Sequence, residues 1–311
     1  MIHNRDQIEI LSVNLLNQHR PIVESLKQTA RSCGLEFGWH YLLDLTWTVS
    51  NLGILAGAGR HAVTSQAVKG RRILDAGAGT GVLQWYLADH GAEVISVDRM
   101  SRANLPLRFR RRFNVSGMRQ SSPPDLLSAQ SVFSDNMKTA RKAIGQAGEL
   151  MITLPRRRSS GSVIIYNQDL NYLSDIPDNT VDSVVAISAL EHNTPEGLQN
   201  VVAELLRVLK PGSALIATLC ASAGEDWFHK PSAGWCYSEE SLRRIFQLSA
   251  DAPANYDRYD EYFEALKNNA ELRNNLAAFY SQSGDNGMPW GKWDPQYQPV
   301  GVYKIKEVKG P

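Results

Sequence analysis

Arg72-Ile73-Leu74-Asp75-Ala76-Gly77-Ala78-Gly79-Thr80-Gly81-Val82-Leu83 opens a unit that ends in Ala92-Glu93-Val94-Ile95-Ser96-Val97-Asp98. Ile73 and Leu74 end a short apolar strand, and three glycines at alternate positions follow at once. From Val82 to His90 the apolar residues Val82, Leu83, Trp85, Tyr86 and Leu87 recur at helical spacing, and Gly91 stands where a helix stops. Val94 to Val97 is a second strand, closed by Asp98. The pattern predicts a β-α-β unit with a glycine-rich first turn. Glycines let the backbone take positive φ and admit a ligand with no Cβ in the way. The helix that follows points unpaired N–H groups at the same place. Asp98 comes 23 residues after Asp75, where a carboxylate accepts hydrogen bonds from both hydroxyls of a ribose. The unit suits a nucleoside-containing ligand.

The dinucleotide fingerprint G-x-G-x-x-G/A fails at its sixth position, which is Val82. The glycines fall instead as G-x-G-x-G, with Asp75 two residues before the first. A carboxylate on the strand end repels a pyrophosphate and suits an ammonium and a sulfonium. Asp75-Ala76-Gly77-Ala78-Gly79-Thr80-Gly81 resembles the first motif of the class I S-adenosyl-L-methionine (SAM) methyltransferases, in particular those of the methyltransferase type 11 kind. A ligand-free βα turn and a nicotinamide site are the competing readings of the glycines alone. Further matches follow downstream. Val163 to Tyr166 is a third strand leading to Asn167-Gln168-Asp169-Leu170. Pro177-x-x-x-Val181-Asp182-x-Val184-Val185 approaches a fourth strand, Val181 to Ser188, which runs into Ala189-Leu190-Glu191-His192. Arg207-Val208-Leu209-Lys210-Pro211-Gly212 closes an amphipathic helix over Glu196 to Leu209 and leads into a fifth strand, Ser213 to Leu219. The matches cover roughly residues 70–99 and 163–220.

The resemblance implies a doubly wound α/β fold with a seven-stranded, mostly parallel sheet, in which Val300 to Ile305 supplies the one antiparallel strand. It implies SAM as cofactor and a cofactor-binding set of Asp75, Ala76, Gly77, Gly79, Gly81, Asp98, Arg99, Asp169, Leu170 and Ser188. Asp75 and the glycine backbone would hold the methionine part, Asp98 the ribose, and Asp169 with Leu170 the adenine. N-terminal helices often cover the cofactor in this family. The aromatic stretch from Gly34 to Leu55 would bring Tyr41 or His40 to the site, though core packing explains each of those residues as well. His192 is the candidate general base, since an imidazole beside the methyl donor can take a proton from an attacking hydroxyl. A shared structural role for Leu190-Glu191-His192 fits equally. Trp227 and His229, in the loop beyond the fifth strand, are expected with Tyr41 and His192 in the acceptor pocket, because open α/β sheets bind ligands outside the strands' carboxyl ends.

Composition sets looser bounds. The 311 residues are 43% hydrophobic and 21% charged with a net charge of +1, ordinary for a globular enzyme. Met1 to Glu9 has no apolar signal core, and no apolar run is long enough to span a bilayer, so a cytoplasmic protein is expected. Cys33, Cys220 and Cys236 lack metal-type spacing and are expected as buried free thiols. No metal is called for. Residues 1–68 read as an N-terminal helical cap, with a helix pair over 5–33 broken near Pro21. Residues 69–311 read as the methyltransferase domain, interrupted by a basic insertion at 100–162 and a helical one at 257–281. These additions are expected to form a lid over the strand ends.

The insertion at 100–162 carries twelve basic residues against three acidic ones. Either it grips an anionic partner or it is a solvated surface balanced elsewhere. The expected function is methyl transfer to a small-molecule or sugar/glycan acceptor, at an oxygen, with an anionic group on the acceptor matching the arginines. Two alternatives stay open. One is an RNA or protein methyltransferase using the basic insertion. The other is a SAM-binding module without turnover. Nucleic acid is the lesser partner, because stacking aromatics are scarce among the arginines.

Overall fold

In the computed structural model the described residues are 6–53, 55–56, 63–64, 66–102, 105–118, 159–276 and 292–308. Strand β1 (Gln7–Ile10) is followed by helices α1 (Asn14–Gln18), α2 (Arg20–Cys33) and α3 (Tyr41–Asn51), then a two-stranded hairpin of β2 (Leu55–Ala56) and β3 (Val63–Thr64). Next come β4 (Arg72–Ala76), α4 (Leu83–Asp89), β5 (Glu93–Asp98), α5 (Leu107–Arg112), β6 (Asn114–Gly117), β7 (Ser162–Asn167) and β8 (Val181–Ile187). A 3-10 turn at Leu190–His192 precedes α6 (Pro195–Val208), β9 (Leu209–Ala221), β10 (Trp227–His229), β11 (Gly234–Tyr237) and α7 (Glu239–Ile245). After α8 (Tyr259–Lys267) and α9 (Ala270–Asn274), β12 (Gln298–Ile305) closes the order.

The main sheet runs β1-β12-β9-β8-β4-β5-β7-β6, with β11 added beside β9 and β10 beside β11. The pairings from β9 through β8, β4, β5 and β7 to β6 are all parallel. β12 runs antiparallel to both β9 and β1. This is the expected doubly wound, mostly parallel sheet with Val300–Ile305 inside its antiparallel strand. It has ten strands among the described residues rather than seven. Order reverses at β4, whose neighbours are β5 on one side and β8 on the other. That reversal opens a crevice at the strands' carboxyl ends.

Successive residues feed opposite faces, as strand geometry requires. Ile73, Val94, Val163 and Val185 join one apolar core with α1 to α4. Leu74, Ile95, Val184 and Leu215 join the other, against α6 and α7. Helix limits follow local chemistry. Pro21 lies in the first turn of α2, which Gly34 ends at φ +60. Thr194 caps α6, its Oγ1 accepting from Gly197 N at 3.1 Å, and Ser238 caps α7 over Glu239 and Glu240.

Two expectations are corrected. Residues 7–10 are an edge strand, not part of a helix, because Asp6 anchors them. Its carboxylate accepts from Lys304 Nζ at 2.8 Å, from Ile305 N at 2.9 Å and from Ser249 N at 3.0 Å. The Lys210-Pro211-Gly212 segment does not stand between helix and strand, since α6 stops at Val208 and β9 begins at Leu209. Within the basic insertion, residues 119–158 lie outside the described residues. Of the insertion at 257–281, residues up to 276 are described and carry α8 and α9. All three cysteines are buried and free, and no helix among the described residues is long and apolar enough to cross a membrane.

Candidate active site

The turn after β4 is forced into shape by its glycines. Gly77 sits at φ +73, and a Cβ there would lie 2.3 Å from the Ala189 Cβ. Gly77 N and Ala78 N both donate to Val97 O, at 2.9 and 3.0 Å, so the turn is sewn to the end of β5. Gly79, at φ +48, donates its N–H to Asp98 Oδ2 at 2.8 Å. The other Asp98 oxygen accepts from Met100 N at 2.7 Å. Each oxygen keeps a second acceptor position. Asp98 is therefore a fixed, half-buried acceptor pair beside the glycine turn.

Asp75 lies just beneath, only 3% exposed. Burial pushes its carboxyl up to about 7, the Arg102 guanidinium pulls it back, and the nearby Asp98 pushes it further up. Asp169 is exposed on the far side of the cleft. Its Oδ1 accepts from Asn171 N at 2.9 Å and Asn171 Nδ2 at 2.8 Å. Those two bonds, with Arg99 nearby, hold its carboxyl below the usual range.

These groups face a cavity of about 880 Å³, near the upper end for small-molecule sites. Nine of the ten expected cofactor residues line it: Asp75, Gly77, Gly79, Gly81, Asp98, Arg99, Asp169, Leu170 and Ser188. Ala76 does not. Its side chain is fully buried in the core against α6 and α7, one residue short of the turn. Tyr41 and His192 are on the same cavity walls. Trp227 and His229 are not among the lining residues. His229 is 5% exposed and turned inward, with Nδ1 2.7 Å from Ser232 Oγ and its ring edge-on to Tyr297 at 5.3 Å. Trp227 is on β10, one strand further from the cleft than β11. His40 is likewise buried, with Nδ1 2.5 Å from Asp44 Oδ2.

The hairpin of β10 and β11 does reach the site, through its backbone. His192 Nδ1 lies 3.1 Å from Ala233 O. A carbonyl only accepts, so the bond puts the proton on Nδ1 and leaves Nε2 as the basic nitrogen.

Three features escaped the sequence. The first is the stretch 34–38, where Leu35, Glu36 and Phe37 form a cavity wall between α2 and α3. The second is Gln84 on α4, 1% exposed. Its Nε2 lies 3.2 to 3.4 Å from the carbonyls of Ala78, Gly79 and Gly81, while its Oε1 accepts from Ser96 Oγ at 2.7 Å. It ties the glycine turn to β5. The third is Arg102, counted by charge with the basic insertion but 3% exposed. It donates to the carbonyls of Ser96 and Tyr166, at 2.9 and 3.0 Å, and so locks β5 to β7 below Asp75. Other described arginines of the insertion also have structural contacts. Arg108 Nε donates to Cys33 O at 2.7 Å, and Arg112 pairs with Asp89 and Ser32. Residues 119–158 lie outside the described residues.

The geometry fits SAM on this chain's own terms. The glycine turn presents its backbone to the cavity, Asp98 presents acceptors for a diol, and buried Asp75 gains from a nearby ammonium. One sequence family points the same way. The sequence profile of a methyltransferase domain family matches residues 133–217, the segment that includes β7, β8 and α6. No curated protein sequence matches the chain. Among solved structures it is similar to the [4+2]-cyclase SpnF, at 18% identity over 94% of this chain and 96% of that one, with a TM-score of 0.45. It is similar to the Burkholderia thailandensis 1,6-didemethyltoxoflavin-N1-methyltransferase, solved with S-adenosylhomocysteine, at 12% identity over 95% and 85%, TM-score 0.40. It is also similar to Haemonchus contortus phosphoethanolamine N-methyltransferase 2, at 13% identity over 99% and 61%, TM-score 0.45. A methyltransferase-domain profile on residues 133–217, beyond a glycine turn set against two strand-end carboxylates, makes this chain similar to SAM-dependent methyltransferases.

Proposed function

We propose that the chain methylates an uncharged small-molecule acceptor at an oxygen, with His192 taking the acceptor's proton at Nε2. The observation that carries this reading is that Tyr41 and His192 share one cavity with the glycine turn and Asp98. When bound, SAM supplies a methyl group on a positively charged sulfur that leaves as a neutral thioether. The chain's own part is then orientation, proton removal and exclusion of water. Asp98 holds the ribose hydroxyls, Asp75 and the turn's backbone hold the methionine end, and Asp169 with Leu170 borders the adenine. Residues 34–38 and α3 cover the acceptor end. The described walls there carry Glu36 and no lysine, and Arg99 stands at the ribose end. An uncharged acceptor such as a sugar hydroxyl therefore fits these walls better than an anionic one.

The test is a panel of hydroxyl-bearing small molecules with methyl-labelled SAM, in which uncharged sugars are set against anionic nucleotide-sugars and should be the better acceptors. On the acceptor found, His192→Gln should lower turnover by about 10²- to 10⁴-fold and leave the affinity for S-adenosylhomocysteine (SAH) unchanged. Undiminished turnover would remove His192 from the reaction.

A further inference from the structure

Beside His192 lies a carboxyl that the reaction above does not use. Glu191 is 2% exposed. Its Oε1 accepts from the Ser188 hydroxyl and from the Cys220 thiol, the latter at 3.7 Å. Its Oε2 has no hydrogen-bond partner among the described residues. A buried carboxyl is costly to keep, and an apolar side chain of similar size fills the same space without that cost.

Three unusual backbone positions converge on it. Ser188, at the end of β8, stands at φ +45 with its hydroxyl tied to Glu191. Gly234 approaches so closely that a Cβ there would sit 3.1 Å from Glu191 Cγ. Ala233, one residue earlier, is held at φ +51, the left-handed region that favours glycine. Ala233 also supplies the carbonyl that meets His192 Nδ1. The turn between β10 and β11 thus rests on the Glu191 side chain while it delivers that carbonyl.

We propose that Glu191 is a positioning residue: its buried side chain seats the 230–234 turn against the Leu190–His192 turn and so fixes His192 as the tautomer with the proton on Nδ1. The use made of Nε2 rests on the proposed function; the tautomer does not. Burial pushes the Glu191 carboxyl up, while His192, the Ser188 hydroxyl and His40 draw it down.

The experiment is imidazole proton–nitrogen correlation NMR on the full chain labelled with nitrogen-15, with the His192 signals assigned by their loss in His192→Gln. Wild type should show a single tautomer, Nδ1 protonated and Nε2 bare. Glu191→Gln keeps the bulk and an acceptor for Ser188, and should retain that pattern. Gly234→Val drives a side chain into the contact and should abolish it, giving mixed tautomers. If Gly234→Val does not fold, Glu191→Ala removes the support from the other side and should give the same loss. A wild-type His192 protonated on Nε2 would overturn the proposal, as would an unchanged tautomer in folded Gly234→Val or Glu191→Ala. SAH calorimetry on the same samples separates the two readings. A wild type with the expected tautomer that binds no SAH would sink the functional reading and leave this one standing.

Discussion

Gly77 is the most crowded glycine of the turn. Gly77→Ala must fit a Cβ 2.3 Å from that of Ala189 at φ +73. It should destabilise the fold by about 2 kcal/mol or more, seen as a lower denaturant midpoint, and abolish SAH binding. Full affinity in the variant would mean that the turn does not touch the ligand. Asp75 carries a pH prediction. Its folded carboxyl titrates at about 7, raised by burial from an unfolded value near 4. Its ionisation therefore costs stability as pH climbs through that interval, and a bound ammonium favours the ionised form. SAH affinity should rise with pH by up to about tenfold per unit below 7 and then level off. Binding near pH 6 should release a proton, measurable by calorimetry in buffers of different ionisation enthalpy. A flat profile from pH 5.5 to 8 would place the ammonium elsewhere.

Among the elements, the β4-α4-β5 unit was the most legible in the sequence, because its signals are local. A glycine turn, a helical period and a strand-end acid all fall within 27 residues. The parts that hold it in place were not legible. Gln84 reads as an ordinary polar helix residue until the turn folds back over it, and Arg102 reads as surface charge until β7 closes above it. Gln84→Leu should leave α4 intact and weaken SAH binding by about 1–2 kcal/mol, by calorimetry on a protein with an unchanged melting curve. Unaltered affinity would mean that the turn holds its shape alone. Trp227 and His229 show the opposite error. They follow a strand end in sequence, but β11 lies between their strand and β9. From the described residues of that hairpin, the carbonyl of Ala233 meets His192 of the cleft wall.

For the whole molecule, the layered fold followed from the family resemblance, whereas the sheet's far edge did not. Ile8 and Ile10 alternate over only four residues, too few to set a strand apart from a helix. What decides is pairing with β12 and the buried Asp6–Lys304 contact, made across nearly the full length of the chain. Asp6→Ala leaves buried Lys304 without its counter-charge, with Gln247 O at 2.6 Å still accepting from Nζ, and should cost about 3–5 kcal/mol, read from the urea midpoint at constant slope. A loss under about 1 kcal/mol would show that β1 contributes little to the sheet. The same fold brings five separated stretches to one cavity: 34–45, 75–83, 98–99, 168–170 and 187–193. That convergence is what a cofactor and an acceptor together require. Its most direct test is calorimetric titration of the purified chain with SAH, for wild type and Asp98→Ala. One-to-one binding in the micromolar range, lost or weakened at least about tenfold in Asp98→Ala, is the predicted result. A folded wild type that binds neither SAH nor SAM, or an Asp98→Ala variant that binds as tightly as wild type, would contradict the cofactor's placement across the ends of β4 and β5.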